Sequence, residues 1–380
     1  MRTRPEDHIE AELVELLDER GRLRADPPAL GAHRSEADVR RGLETWLGRF
    51  LPQVTGIGPL VRMSGAGTNE LYSVVLESGT ESERAVLRIK TPGSGVLTHV
   101  GRECRMMEVA AEVMPVPPPR LYTQDPAYFG APAMLTDFAL GVQAPRGQPV
   151  RASGMGTRYP EPLRSSLGPQ FVRHVAALHA RPTDTLPEGF ERPRPGTTDA
   201  LDWRLTFWGR LWDEDRIEEH PTMCLARDWL WENRPPVDAV SLLHGDYRNG
   251  NFLFDEESGR ITAVIDWEMT WVGDRHADLA YTMFRSFGDR EDGRFLVAGL
   301  VESGDFTRRY EAESGLGIDA ERLAYYFVFN MYWSNVSMLG TGLRNARAGM
   351  TQLDVMYQTM MGKGVMSAAA LNAATARARL

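Results

Sequence analysis

The chain has 380 residues, with 43 Lys and Arg against 52 Asp and Glu for a formal charge of −9, and 42% hydrophobic and 25% charged residues. That composition is a folded globular protein's, and its acidic balance argues against a nucleic-acid binder needing a broad basic face. Two cysteines, Cys104 and Cys224, make no disulfide scaffold and no thiolate metal motif.

MRTRPEDHIEAELVELL lacks the apolar region of a signal peptide, and no run approaches the ~18 apolar residues of a membrane span, so a cytoplasmic protein without a membrane partner is expected. Residues 1–54 read as an N-terminal helical extension, two helices around the turn-rich ADPPALGAH. In the second, Val39, Leu43, Trp46, Leu47, Phe50 and Leu51 recur at helical spacing as one apolar face, and Ser35 with Asp38 supplies a capping start. Residues 55–136 change character. LVRMSGAGTNELYSVVLESG is two strand-like runs around a glycine-bearing turn, and RAVLRIK follows as a third. HVGRECRMMEVAAEVM has helical character and APAMLTDF reads as a further strand, so this segment is a small α+β lobe.

Residues 137–380 are mostly helical, with Phe171, Val175 and Leu178 on one face and Trp208, Leu211 and Trp212 on another. The exception is LLHGDYRNGNFLFDEESGRITAVIDWE, where NFLF and ITAVI are strand-like runs joined by a turn. The C-terminal SAAALNAATARARL is expected to be a helical or frayed tail.

That exception carries the chemistry. Phosphoryl transfer needs a carboxylate near the acceptor hydroxyl to orient it and take its proton, and oxygen ligands for Mg2+ on the nucleotide phosphates. His244-Gly245-Asp246 leads to Asn251 five positions after the aspartate, and Asp266 stands at the end of the next strand. The hairpin between them brings Asn251 and Asp266 side by side.

The run resembles the catalytic segment of the aminoglycoside phosphotransferase family, relatives of choline kinase and the protein kinases. His244-Gly245-Asp246 through Asn251 matches the kinase catalytic loop, Asp266-Trp267-Glu268 stands in place of Asp-Phe-Gly, and VIDWEMTWVGDRHADLAY is similar almost throughout. The resemblance implies an α+β bilobal protein-kinase-like fold, with a nucleotide-binding N-lobe over 55–136 and a helical C-lobe over 137–380. It implies Asp246 as base, Asn251 and Asp266 as Mg2+ ligands, His244 as loop support and Asp278 as a brace beneath the loop. Asp246, Asn251 and Asp266 standing together argue against a non-catalytic nucleotide-binding pseudokinase.

In the small lobe, Gly65, Gly67 and Thr68 lie in a turn whose backbone amides can approach the phosphates of ATP or GTP. Arg88 matches the phosphate-binding lysine position of the kinases, with Glu103 as its helix partner, and Lys90 of the same strand parity is the rival. Thr136 and Asp137 fall where an inter-lobe hinge would meet the adenine edge through backbone groups. Glu268 and Trp271 are candidates to face the acceptor, while most of the surrounding tryptophans and tyrosines read as core. The acidic run Asp213–Glu219 reads as a solvated helix face rather than a binding site. The expected acceptor is a small hydroxylated molecule, aminoglycoside-type or a hydroxyacyl thioester or other metabolite; oligomeric state is left open.

Overall fold

In the computed structural model, which describes residues 8–25, 34–63, 69–91, 99–148, 154–347 and 369–375, strand alternation builds the first lobe. Strands β1 (Gly56–Arg62), β2 (Asn69–Ser78), β3 (Glu81–Lys90), β4 (Pro119–Thr123) and β5 (Ala133–Asp137) form an antiparallel sheet in the order β1-β2-β3-β5-β4. Tyr72, Val74 and Leu76 of β2 and Ala85, Leu87 and Ile89 of β3 bury one face. The period of two sends alternate residues to opposite faces, so Arg88 and Lys90 share the other one.

Two helices precede this sheet, and they part company. Helix α2 (Glu36–Phe50) lays Val39, Leu43, Trp46 and Leu47 onto the sheet core as its periodicity predicts, and Ser35 Oγ caps it by accepting from Asp38 N at 3.1 Å. Phe50, expected on the buried face, is 48% exposed at the helix end, with its ring edge-on to Tyr128. Helix α1 (Ala11–Ala25) instead packs Leu13, Leu16 and Leu17 into the second lobe with Leu205 and Trp208. The two described helices of this segment therefore attach to different cores. Glu10, just ahead of α1, and Glu12 in its first turn reach Arg102 and Arg105 at 2.7 and 2.6 Å, tying α1 to helix α3 (Val100–Ala110).

The second lobe is built on α4 (Leu163–Ala180), α5 (Asp199–Asp215), α6 (Pro221–Glu232), α7 (His276–Thr282), α8 (Ser303–Ser314), α9 (Ala320–Asn335) and α10 (Leu343–Arg347). Threaded through it, β6 (Val240–Leu243) pairs with β9 (Trp271–Asp274) and β7 (Phe252–Asp255) with β8 (Arg260–Val264). A small sheet of β10 (Asp289–Glu291), β11 (Arg294–Val297) and β12 (Val301–Glu302) was not expected; strands of two to four residues are too short to show a period. The aromatic residues of α5 and α9 are chiefly core, with Trp208, Trp212, Tyr326 and Tyr332 buried. The acidic run is ion-paired surface apart from Asp215, which is fully buried against Arg20 and Thr341. Residues 369–375 are helical, and Leu371 is buried in the α5–α9 core. No helix among the described residues is long and apolar enough to cross a membrane.

Candidate active site

The loop between β6 and β7 carries a run of backbone amides that cannot all bond within the loop. Asp278, buried in the first turn of α7, accepts from His244 N and Gly245 N at 2.7 Å each, one on each carboxylate oxygen. His179 Nε2 sits 3.2 Å from the same carboxylate. Gly245 has φ +81°, and a Cβ there would lie 2.2 Å from Met269 O, so only glycine makes this turn. His244 Nδ1 accepts from Asp246 N at 3.2 Å, leaving Nε2–H to donate to Ile265 O at 3.0 Å. Burial holds the imidazole below its ordinary pKa, so it braces the loop as a neutral ring. Asp278→Asn leaves one of these buried amides without an acceptor. It should lose about 2 kcal/mol of stability in a denaturant titration, and turnover should fall with it.

Asp246, braced in this way, is held from two more sides. Arg248 Nε and Nη2 donate to its two oxygens at 2.6 and 2.9 Å, and Asn251 Nδ2 donates to its Oδ2 at 2.7 Å and its carbonyl at 2.8 Å. Arg248 also lies over the Phe287 ring at 4.9 Å. Sequence reasoning missed Arg248, although its place two residues after the aspartate in a loop was a signal, since side chains at that spacing diverge in a helix but can meet in a turn.

Ile265 N bonds Asn251 O at 2.9 Å, so the β7–β8 hairpin brings the two expected metal ligands to neighbouring strand ends. Asp266 adopts φ +69°, and the chain then turns through Trp267–Met269. Burial, with Glu268 and Asp246 alongside, pushes the Asp266 carboxyl well above the usual carboxylate range. Glu268 is pushed up too, chiefly by burial, and its Oε2 is buried without a hydrogen-bond partner. Asn251 Nδ2 is spent on Asp246, leaving Oδ1 as the atom that can ligate a cation. The Asp266 carboxylate, the unpartnered Glu268 Oε2 and Asn251 Oδ1 are hard oxygens of the kind that fits Mg2+. Another cluster, Asp238, Asp274 and His276, does not fit a metal. Arg275 grips Asp238 at 2.7 and 2.9 Å, Arg322 and His276 hold Asp274, and His276 Nε2 accepts from Asp319 N at 2.9 Å.

From the small lobe, Arg88 forms an ion pair with Glu103 of α3, both largely buried. Lys90 lies on the same face, and burial pushes its ammonium down to about 8. Gly65, Gly67 and Thr68 lie outside the described residues. Thr136 departs from its expected place: it is buried inside β5, paired with Val86 on one side and Pro119 on the other, and the chain leaves the sheet only after Asp137. The backbone groups that can meet a ligand at the hinge therefore belong to the residues after β5. The two acceptor candidates separate. Glu268 lies beside Glu103 and senses Arg88 and Lys90, whereas Trp271 joins Trp208, Trp333 and Phe329 around a recess behind Gly245.

The profile of the phosphotransferase enzyme family matches residues 60–313. Acyl-CoA dehydrogenase family member 11 of Gallus gallus is 28% identical over 271 residues, which are 68% of this chain and 32% of that protein. The chain thus spans about a third of such curated relatives. An aminoglycoside 3'-phosphotransferase of Streptomyces ribosidificus is 28% identical over 187 residues, 48% of this chain and 66% of its own length. Among solved structures, a Ralstonia eutropha protein provisionally assigned as an aminoglycoside phosphotransferase superposes with a TM-score of 0.63 at 21% identity, covering 88% of this chain and 98% of its own. The fold is therefore the bilobal, protein-kinase-like one expected, and with two thirds of its length matched, the chain belongs to the phosphotransferase enzyme family.

Proposed function

We propose that the protein transfers the γ-phosphoryl group of ATP or GTP to a hydroxyl of a small molecule. The observation that carries this reading is the Asp246 carboxylate, fixed by Arg248, Asn251 and its own braced loop beside Asp266. The acceptor oxygen forms a bond to the γ-phosphorus, and the bond from phosphorus to the bridging oxygen breaks, leaving ADP or GDP with the electron pair. The hydroxyl proton passes to Asp246, whose orientation is set by Arg248 and Asn251. Mg2+, when bound through Asn251 Oδ1 and the Asp266 carboxylate, supplies positive charge to the nucleotide phosphates. Arg88, steered by Glu103, adds a planar guanidinium suited to phosphate oxygens.

The test is label transfer: γ-labelled nucleotide, Mg2+ and a panel of alcohols should give labelled product with the wild-type protein and not with Asp246→Asn. Absence of any transfer, together with nucleotide binding, would favour the pseudokinase reading. The small lobe supplies its own check. Arg88→Met removes the phosphate-binding charge and strands the buried Glu103 carboxylate. It should weaken nucleotide binding and cost about 3 kcal/mol of stability, with turnover reduced. Lys90→Met should do less in calorimetry and in turnover, because an ammonium offers phosphate a point charge and not a planar pair of donors. A larger loss at Lys90 would transfer the phosphate role to it.

A further inference from the structure

Helix α1 carries an apolar face and an acidic edge, and the two attach to different lobes. Leu13, Leu16 and Leu17 enter the second-lobe core, where Asp18 also pairs with Arg210 of α5 at 2.8 Å and Arg20 with the buried Asp215. Glu12, Glu15 and Glu19 repeat at i, i+3 and i+7 along the other edge, toward the small lobe. Glu12 takes Arg105 at 2.6 and 2.7 Å. Glu15 and Glu19 are near enough for their charges to act on His99 and Lys90, whose pKa values burial lowers.

The contact with α3 is a socket. Arg102 and Arg105 lie three residues apart on one side of α3. Arg102 donates to Gly189 O of the second lobe, lies over the Phe190 ring at 4.0 Å, and is closed in by Glu10 at 2.7 Å. Glu10 in turn accepts from Glu191 N at 3.0 Å. Arg105 Nε donates to Glu188 O at 2.6 Å beside its pair with Glu12. Two arginines of the small lobe are thus plugged into residues 188–191 of the second lobe, and the carboxylates ahead of and within α1 supply their counter-charge. Both Glu10 and Arg102 are buried.

Glu103 stands between those arginines in sequence but about 100° around the helix from Arg102, where it pairs with Arg88. A helix turns and slides as one body, so what fixes Arg102 and Arg105 fixes Glu103. The rest of α3 is held by Val100, Cys104, Met106, Met107 and Ala110 in the apolar core. Methionines adapt to irregular gaps, so these contacts set rotation and height less sharply than charged pairs with fixed donors do.

We propose that Glu10 and Glu12 are positioning residues: with α1 they hold α3 against the second lobe, so that Glu103 stays on Arg88 and the guanidinium is ready for the nucleotide phosphates. This rests on the phosphotransferase reading and deepens it. Neither glutamate touches the reacting groups; both act through α3.

Two measurements test this. In the wild-type protein, hydrogen exchange is followed across α1 and α3 with and without Mg2+ and a non-hydrolysable analogue of ATP or GTP. Coupling between two sites is reciprocal, so the bound analogue should slow exchange in α1 as well as in α3. An α1 that exchanges alike with and without bound analogue would overturn the proposal. Separately, Glu10→Gln/Glu12→Gln, Glu103→Gln and the triple variant are compared by calorimetry with the analogue and by the nucleotide KM and kcat of label transfer. The double variant should weaken analogue binding about 10-fold, within the usual range of coupling between sites. In the Glu103→Gln background the same two substitutions should cost less than about 2-fold, because the pair they position is already broken. Equal losses in both backgrounds would mean that the glutamates only stabilise the fold, and would overturn the proposal. If the double variant does not fold, Glu12→Gln alone, at a half-buried carboxylate, carries the comparison with a smaller effect, and the exchange measurement needs no variant. Failure of the phosphotransferase reading shows separately, as analogue-dependent protection of α1 without label transfer. Failure of the α1 role alone leaves transfer intact and α1 indifferent to nucleotide.

Discussion

Asp266→Asn should abolish turnover without weakening the fold. The side chain is half-buried beside Glu268 and Asp246, and desolvation together with those two carboxylates raises its proton affinity. Replacing the carboxylate by an amide of the same shape removes a negative charge from a cluster that repels it, so the thermal midpoint of the ligand-free protein should hold or rise. Asparagine is the better probe than alanine, because the φ of +69° is tolerated by Asp and Asn and costs other residues about 1–2 kcal/mol. Turnover depends on the charge. Loss of an anionic ligand forfeits several kcal/mol of transition-state stabilisation, and kcat should fall ~10³-fold or more. Calorimetry should show weaker Mg-nucleotide binding while nucleotide alone binds as before. Full activity would remove Asp266 from the metal site. A marked loss of thermal stability would mean instead that the carboxylate is a structural acceptor.

What could be read in the sequence was what lies contiguous in it. His244 through Asn251 is one loop and Asp266 ends the next hairpin, so a run of 23 residues holds the proposed base and both proposed metal ligands. The face of α2 was legible for the same reason, because Val39, Leu43, Trp46 and Leu47 repeat within one helix. The missed features depend on which distant groups meet. α1 has a pattern similar to α2, but nothing in it says that Leu13 and Leu17 join α5 while α2 joins the sheet. Arg204 sits in the run LDWRLTFW, where it reads as an ordinary helix cation. That it meets the Thr270 carbonyl and the Trp271 ring shows only in the assembled lobe. Thr136 was misplaced by the width of a strand end, since where β5 stops is set by pairing with β3 and β4 rather than by its own residues.

The same distinction between local motif and tertiary partner governs the outcome at Asp246. The loop motif alone predicts that Asp246→Asn keeps the fold and nucleotide binding and loses the base. The structure adds a cost, because Arg248 gives the carboxylate two donors and is itself 7% exposed. An asparagine presents one oxygen and one amide to a guanidinium and to Asn251 Nδ2, so at least one donor is left facing another. Breaking a buried pair on one side costs about 3–5 kcal/mol. A lower urea midpoint should therefore accompany a kcat reduced ~10²-fold or more, the scale of a lost general base. Nucleotide affinity should hold, since the proposed place of Asp246 is at the acceptor hydroxyl and not at the nucleotide. The two effects separate in Asp246→Asn/Arg248→Gln, where neither side chain is charged and the amides can pair. That double variant should recover much of the stability and none of the turnover. Recovery of turnover along with stability would show that Asp246 acts by holding the loop rather than by taking the proton, and unchanged turnover in the single variant would remove it from the chemistry.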